Sequence, residues 1–288
     1  MNDHKTALLG LFDGLHRGHM SAVWELLRCD GEKIVYTFDS LSMTTKGARG
    51  LLLTDAEKRR MLENLGVDRI ISEDFARVRD IEPREFVQNV LCGELRVTKV
   101  ICGENFRFGK GGAAGADELT SLCRECGIEA IVVPTVYDCG APISTTRIRE
   151  HIERGEIEEA NRLLGREYSF SGEIAHGFRI GSRMGIKTLN IPFDTVKVLP
   201  KKGVYASKVR LSGEELIGIT NIGTRPTVHD DGEVVIETHL LDFSGDIYGE
   251  RAEVRLTAFM REEKRFGSIE ELRDTVAGDI EKRRHDVC

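Results

Sequence analysis

Two histidines three residues apart, His16 and His19, lie in Gly10-Leu11-Phe12-Asp13-Gly14-Leu15-His16-Arg17-Gly18-His19, between an apolar run and an amphipathic helical pattern. Gly14 and Gly18 let the backbone turn sharply and come close to a ligand, and the helix that follows offers free N–H groups and a positive dipole end to phosphate. The imidazoles add donors to such an anion site. A metal-binding pair is the alternative, although no third ligand stands near in sequence; an ordinary turn is the third reading. A second anion-binding pattern is Ile143-Ser144-Thr145-Thr146-Arg147, where hydroxyls precede a helix start and an arginine able to grip phosphate bidentately follows. It can equally be a capped helix with solvated arginines. Between the two, Gly103-Glu104-Asn105-Phe106-Arg107-Phe108-Gly109 places aromatics on alternate positions, as core packing or as a platform for a flat ring.

A second set of residues lies downstream. Gly177, Gly181 and Gly185 stand four apart in a loop leading to a strand, a spacing that permits the backbone to wrap phosphate but is no Walker loop, since no Gly-Lys-Ser/Thr follows. Thr188 and Asn190 place neutral oxygens two residues apart, hence on one strand face, which suits Mg²⁺ shared with nucleotide phosphates. Glu237 is a lone carboxylate in the apolar run Val234 to Leu241. A charge there is costly unless paired or used. A salt bridge or a solvent-facing position accounts for it structurally; a general base for transfer of a phosphoryl group to an alcohol accounts for it chemically.

The elements that position these residues follow from periodicity. Strand patterns at Lys5 to Gly10, Lys33 to Phe38, Asp68 to Ile71, Lys99 to Ile101 and Ile128 to Val133 alternate with helical ones. Among these, Thr54 with Glu57 forms a capping box. Such alternation predicts a doubly wound parallel sheet covered by helices, with the histidine segment at the C-terminal strand edge, where ligands bind. Two helical patterns run from Arg147 to Leu164, and then the texture changes to short strands with glycine-rich turns and a helix from Ser268. This predicts an α/β chain with an N-terminal nucleotide-binding domain, 1–167, and a C-terminal small antiparallel β-barrel, 168–288.

Composition narrows the partners. A chain of 288 residues with 40% apolar and 31% charged residues accommodates two folded domains. The formal net charge of -7 offers no electrostatic footprint for nucleic acid or an anionic membrane, and no run approaches the ~20 apolar residues of a membrane span. The expectation is a cytoplasmic protein acting on small molecules; a homo-oligomer is compatible with it. Seven cysteines, an odd number without a signal peptide, argue against a disulfide framework, and the lone Cys123-x-x-Cys126 reads as buried small hydrophobes rather than a zinc or redox site.

In order and spacing, the segments around His16 and His19, Asn105 and Ser144 resemble the FMN adenylyltransferase half of the prokaryotic bifunctional riboflavin kinase/FAD synthetases. The glycine loop at 177–185, Thr188 with Asn190, Gly203-Val204-Tyr205-Ala206, Asn221-Ile222-Gly223-Thr224-Arg225-Pro226-Thr227, Glu237-Thr238-His239, Asp246-Ile247-Tyr248-Gly249 and Phe259-Met260-Arg261-Glu262-Glu263-Lys264-Arg265-Phe266 resemble the riboflavin kinase half. The resemblance implies riboflavin, FMN, FAD and ATP with Mg²⁺ as substrates, products and cofactors. His16, His19, Ser144, Thr145 and Arg147, with the loop residues Gly10, Phe12, Asp13, Gly14 and Gly18, would hold ATP for adenylylation; Asn105, Phe106 and Arg107 would lie near the flavin. In a six-stranded barrel, Thr188 and Asn190 would bind Mg²⁺ATP, Arg261 would contribute to cofactor binding, and Glu237 would activate the ribityl hydroxyl. The sequence departs from the family at Leu11, usually Asn, at Asp39-Ser40-Leu41, where the family has Pro-His-Pro, and at Lys187 and Leu189 of the Pro-Thr-Ala-Asn motif. Those departures keep two other readings open: an enzyme with one of the two activities, or an inactive flavin-binding regulator.

Overall fold

The computed structural model describes residues 4–39, 50–175, 188–224, 234–243, 245, 247–264 and 266–285. The glycine loop with Gly177, Gly181 and Gly185, the segment Ser40 to Leu41, Lys187, and Arg225, Pro226 and Thr227 lie outside them. The chain forms two compact units, Met1–Arg147 and Ile148–Cys288.

In the first unit, β1 (Lys5–Leu9), β2 (Glu32–Phe38), β3 (Arg69–Glu73), β4 (Lys99–Gly103) and β5 (Glu129–Val133) form an all-parallel sheet of order β3-β2-β1-β4-β5. Its central strand reads Ala7, Leu8 and Leu9, all buried, because both faces are covered and every side chain meets a helix. Helices α1 (Arg17–Leu27) and α2 (Asp55–Asn64) pack on one face through Val23, Leu26 and Leu62. On the other face lie α4 (Ala116–Glu125) and a π-helix, Phe86–Glu94, with Val87, Leu91, Leu119 and Cys123. The short α3 (Phe75–Val78) lies between β3 and the π-helix. The Thr54 capping box is formed: its hydroxyl accepts from the Glu57 amide, and the Glu57 carboxylate accepts from the Thr54 amide.

The unit ends in a tight hairpin, β6 (Tyr137–Asp138) and β7 (Ala141–Pro142), whose central residues Cys139 and Gly140 both have positive φ, 50° and 76°. That pairing matches the twist of flanking strands. Helix α5 (Thr145–Arg154) follows it.

The second unit contains α6 (Ile157–Leu164) and six antiparallel strands: β8 (Tyr168–Glu173), β9 (Thr188–Pro192), β10 (Gly203–Leu211), β11 (Glu214–Thr224), β12 (Val234–Leu240) and β13 (Arg251–Arg261). Their order is β8-β13-β10-β11-β12-β9, and the Ala175 amide donates to the Asn190 carbonyl at 2.9 Å, joining the two edges into a barrel. Helix α7 (Ile269–His285) brings Ile280 against Val204, Ile219 and Leu241. The helical segment ahead of β8 is tied into this unit. The Ile152 carbonyl accepts from the Lys201 amide, the Asn161 side chain bridges the Leu256 carbonyl and the Tyr168 amide, and Gly165 ends α6 in the left-handed region.

Candidate functional site

In the first unit the site is a cleft of about 930 Å³ at the C-terminal edge of the parallel sheet. Two helix starts open onto it. At α1, His16 is the N-cap: its Nδ1 accepts from the His19 amide at 3.2 Å, and the two imidazoles stack 3.6 Å apart. At α5, the Ser144 hydroxyl accepts from the Arg147 amide, and the Thr145 hydroxyl donates to the Asp13 carbonyl at 3.3 Å. Amide-rich helix starts with positive dipole ends, side by side with two histidines, have the chemistry to hold an anion.

The loop between β1 and α1 reaches this geometry through left-handed backbone at Phe12, Gly14 and Leu15, with φ of 55°, 86° and 39°. Phe12 buries its ring edge-on to His19 at 5.5 Å, which fixes a conformation that costs a non-glycine residue roughly 1–2 kcal/mol. At Gly14, a Cβ would lie 2.6 Å from Leu52 Cδ1, so glycine is needed for space as well as for φ. The Asp13 carboxylate is buried and accepts from the Leu52 and Leu53 amides at 2.9 and 3.3 Å, so its work is to hold the loop.

Gly10, Phe12, His16, Gly18, His19, Asn105, Phe106, Arg107, Ser144 and Thr145 all line this cleft. Asp13, Gly14 and Arg147 are not among its lining residues. Arg147 donates to the Asp138 and Ala141 carbonyls at 3.1 and 3.3 Å, and the Asp138 carboxylate also accepts from Arg17 at 2.9 Å, so the hairpin braces two arginines at the two helix starts. Among the described residues, no group of three or more His, Cys, Asp or Glu side chains is arranged to hold a metal.

The far wall is aromatic. Phe106 stacks on Phe108, which packs on Phe86; Tyr36 meets Phe86 and Phe38 edge-on, and Phe38 meets Phe75. Phe108 belongs to the buried core and Phe106 packs partly buried against it, and both line the cleft. Burial, with the Glu73 carboxylate adding to it, pushes the Tyr36 phenol well above its ordinary range, so it stays neutral. Phe38, Phe75 and Phe86 were not singled out from sequence; the available signal was that Phe38 ends a parallel strand at the ligand-binding edge. The hairpin was also missed, its signal being Asp138-Cys139-Gly140 between short runs.

In the second unit, register assembles the residues. Asn190 on β9 pairs with Glu237 on β12, which pairs with Asn221 on β11, then Val204 on β10 and Arg261 on β13. Directly opposed residues share a face with Cβ atoms about 4.5–5.5 Å apart, so Asn190, Glu237 and Asn221 form one polar row. Thr188 shares that face, opposite His239. The alternate residues turn inward, where Thr220 Oγ1 lies 2.8 Å from the hydroxyls of both Ser207 and Thr238, all three buried. Asn190 Oδ1 is buried with no hydrogen-bond partner among the described residues, an oxygen suited to a hard cation. Arg261 is held in a bidentate ion pair by Asp279 of α7, at 2.8–3.1 Å.

The family model described as FAD synthetase matches residues 1–147, and the one described as riboflavin kinase matches 164–287. The chain is 35% identical over 280 residues to a bifunctional riboflavin kinase/FMN adenylyltransferase of Listeria monocytogenes, covering 93% of this chain and 88% of that protein. It is likewise 35% identical over 281 residues to the protein of that description from Escherichia coli K12, covering 94% and 89%. A solved structure from Streptococcus pneumoniae, described as a macrolide-efflux protein, superposes with a TM-score of 0.88 at 27% identity over 99% of this chain and 95% of that one. Efflux is said of that protein; in this chain no helix among the described residues is long and apolar enough to cross a membrane.

Proposed function

The chain belongs to the bifunctional riboflavin kinase/FMN adenylyltransferase family, and from that premise we propose that each unit carries its own chemistry, with the residues of the cleft and of the polar row in the roles below. It is an enzyme of flavin cofactor synthesis: it phosphorylates riboflavin with ATP to give FMN, and it adenylylates FMN with a second ATP to give FAD and pyrophosphate. The observation that carries this is the presence, in one chain and in order, of both matched families over nearly its whole length.

In the first unit the FMN phosphate attacks the α-phosphorus of ATP and pyrophosphate leaves. No covalent nucleophile is needed, only positioning and neutralisation of charge. His16, His19, Ser144 and Thr145 surround the phosphates at the two helix starts, Arg147 adds charge, and Asp13 and Gly14 keep the loop in shape. Asn105, Phe106 and Arg107, with the aromatic wall, receive the flavin. A flat ring against stacked phenyl groups is supported by the geometry of the wall.

In the second unit Glu237 accepts the proton of the ribityl hydroxyl as the phosphoryl group is transferred. Thr188 and Asn190 are the residues that would hold Mg²⁺, a fit supported by the buried Asn190 oxygen, which has no hydrogen-bond partner among the described residues. Bound there, the ion would neutralise charge on the ATP phosphates. Gly177, Gly181 and Gly185 would wrap those phosphates, and Arg261, fixed by Asp279, would steady the end of β13 beside the row. We place the reaction in the cytoplasm.

Incubating the full chain with riboflavin, ATP and Mg²⁺ and resolving the products tests this reading. FMN must appear first and FAD after it. A chain that stops at FMN, or that binds flavin without turning it over, fits the readings with one activity or none.

A further inference from the structure

Lys58 is a charged side chain inside the protein core: its residue is 3% exposed, on the buried face of α2. Its Nζ lies 3.4 Å from the Leu11 carbonyl, 3.4 Å from the Thr37 hydroxyl and 3.3 Å from the Phe38 carbonyl, and 3.0 Å from the Asp55 carboxylate. Thr37, fully buried, donates its own hydroxyl to the same Leu11 carbonyl at 2.9 Å. A buried ammonium costs several kcal/mol in desolvation, and an apolar side chain of similar volume is often as stable or more so. What the ammonium does that an apolar group cannot is fix where oxygens sit.

The oxygens it fixes belong to both walls of the cleft. Leu11 lies between Gly10 and Phe12 in the loop that leads to His16 and His19, whereas Phe38 ends β2 in the aromatic wall; Gly10, Phe12 and Phe38 all line the cleft. From these contacts we infer that Lys58, with Thr37, is a positioning residue for adenylylation: it sets the nucleotide loop and the flavin-side wall at one distance while touching neither substrate. The inference rests on the adenylyltransferase reading of the first unit. Misplacing reacting groups by about an ångström costs on the order of 10²-fold in rate, so a strut behind the loop has catalytic consequences.

The test uses the full chain carrying Lys58→Met, which keeps the length and apolar stem without donors, Thr37→Val, which removes only the hydroxyl, and Thr37→Ser, which restores it. Steady-state FAD formation from FMN and ATP, FMN formation from riboflavin, thermal melting and amide hydrogen exchange over residues 10–19 are measured together. The expected result for Lys58→Met is a fall of about 10²-fold in kcat/KM for FAD formation. Kinase activity in the same sample should stay within about twofold of the parent, and exchange in the loop should be faster. Thr37→Val should fall in the same direction, and Thr37→Ser should return toward the parent. If Lys58→Met does not fold, Thr37→Val against Thr37→Ser decides. Loop exchange reads the strut even where the parental chain makes no FAD, which separates failure of this inference from failure of the activity reading. Variants that melt lower yet keep the parental kcat/KM and loop exchange would reduce Lys58 to packing and overturn the inference.

Discussion

Asn190 Oδ1 is buried and lacks a hydrogen-bond partner among the described residues, one strand away from Glu237. A buried acceptor left unsatisfied costs roughly 1–3 kcal/mol, which a bound cation would recover. Asn190→Ala is therefore expected to raise the Mg²⁺ requirement of FMN formation by about tenfold or more, the equivalent of a lost contact to a charged group. FAD formation from supplied FMN should be untouched, and a parental Mg²⁺ titration would remove Asn190 from the ion's coordination. For Glu237, replacement by Gln keeps shape and removes the basic oxygen. A single-turnover measurement of riboflavin phosphorylation should slow by about 10²-fold, the low end for a lost general base, because a loose phosphoryl-transfer transition state leans little on one. Riboflavin affinity should hold. At this scale sequence spacing singled out His16, His19, Ser144 and Thr145, because a strand-loop-helix passage with glycines has few conformations, while Asn105 came with the family resemblance; all five line one cleft. It did not reveal that Asp13 faces the Leu52 and Leu53 amides, that Arg261 pairs with Asp279, or that Lys58 is buried, since each depends on a partner distant in the chain. Of the Cys123-x-x-Cys126 pair only Cys123 is buried, and burial pushes its thiol up to about 12, far from a reactive thiolate; Cys126 is half-buried.

Five parallel strands and most helices were legible from apolar periodicity: the three central strands bury continuous runs and the helices bury a stripe, whereas the edge strands β3 and β5 are only partly buried but keep their β-branched residues. Elements lacking such a stripe were not: the two-residue strands of the 137–142 hairpin are too short to show a period. The π-helix of Phe86–Glu94 shows the same apolar positions that an α-helix would. The change of texture near residue 167 marks where helices give way to strands. It does not mark where one core ends, because α6 buries Ile157, Ala160, Leu163 and Leu164 and bonds to the barrel through Asn161. Burying those four side chains is worth on the order of 5 kcal/mol, an upper figure. A fragment of residues 148–288 is thus expected to melt cooperatively and to convert riboflavin to FMN but never FMN to FAD. The shorter 168–288 fragment should lose several kcal/mol of stability in urea titration. Equal stability of the two fragments would detach α6 from the barrel core.

Across the whole molecule, two folds with unrelated architectures carry two differently built polar sites, helix starts beside histidines in one and the row of Asn190, Glu237 and Asn221 on a barrel in the other. The acidic net charge of -7 leaves phosphate binding to local groups rather than to a general positive field. The central claim is that one chain holds two separate sites acting in sequence on one flavin. It is tested most directly by supplying riboflavin, ATP and Mg²⁺ to His19→Ala, to Glu237→Gln, and to an equal mixture of the two. His19→Ala should accumulate FMN with FAD formation reduced by about 10²-fold or more. Glu237→Gln should yield little FMN from riboflavin yet convert supplied FMN to FAD, and the mixture should recover FAD from riboflavin. If each variant lost both activities, or the mixture stayed as inactive as its parts, the two chemistries would not be separable and the account of two independent sites would be wrong.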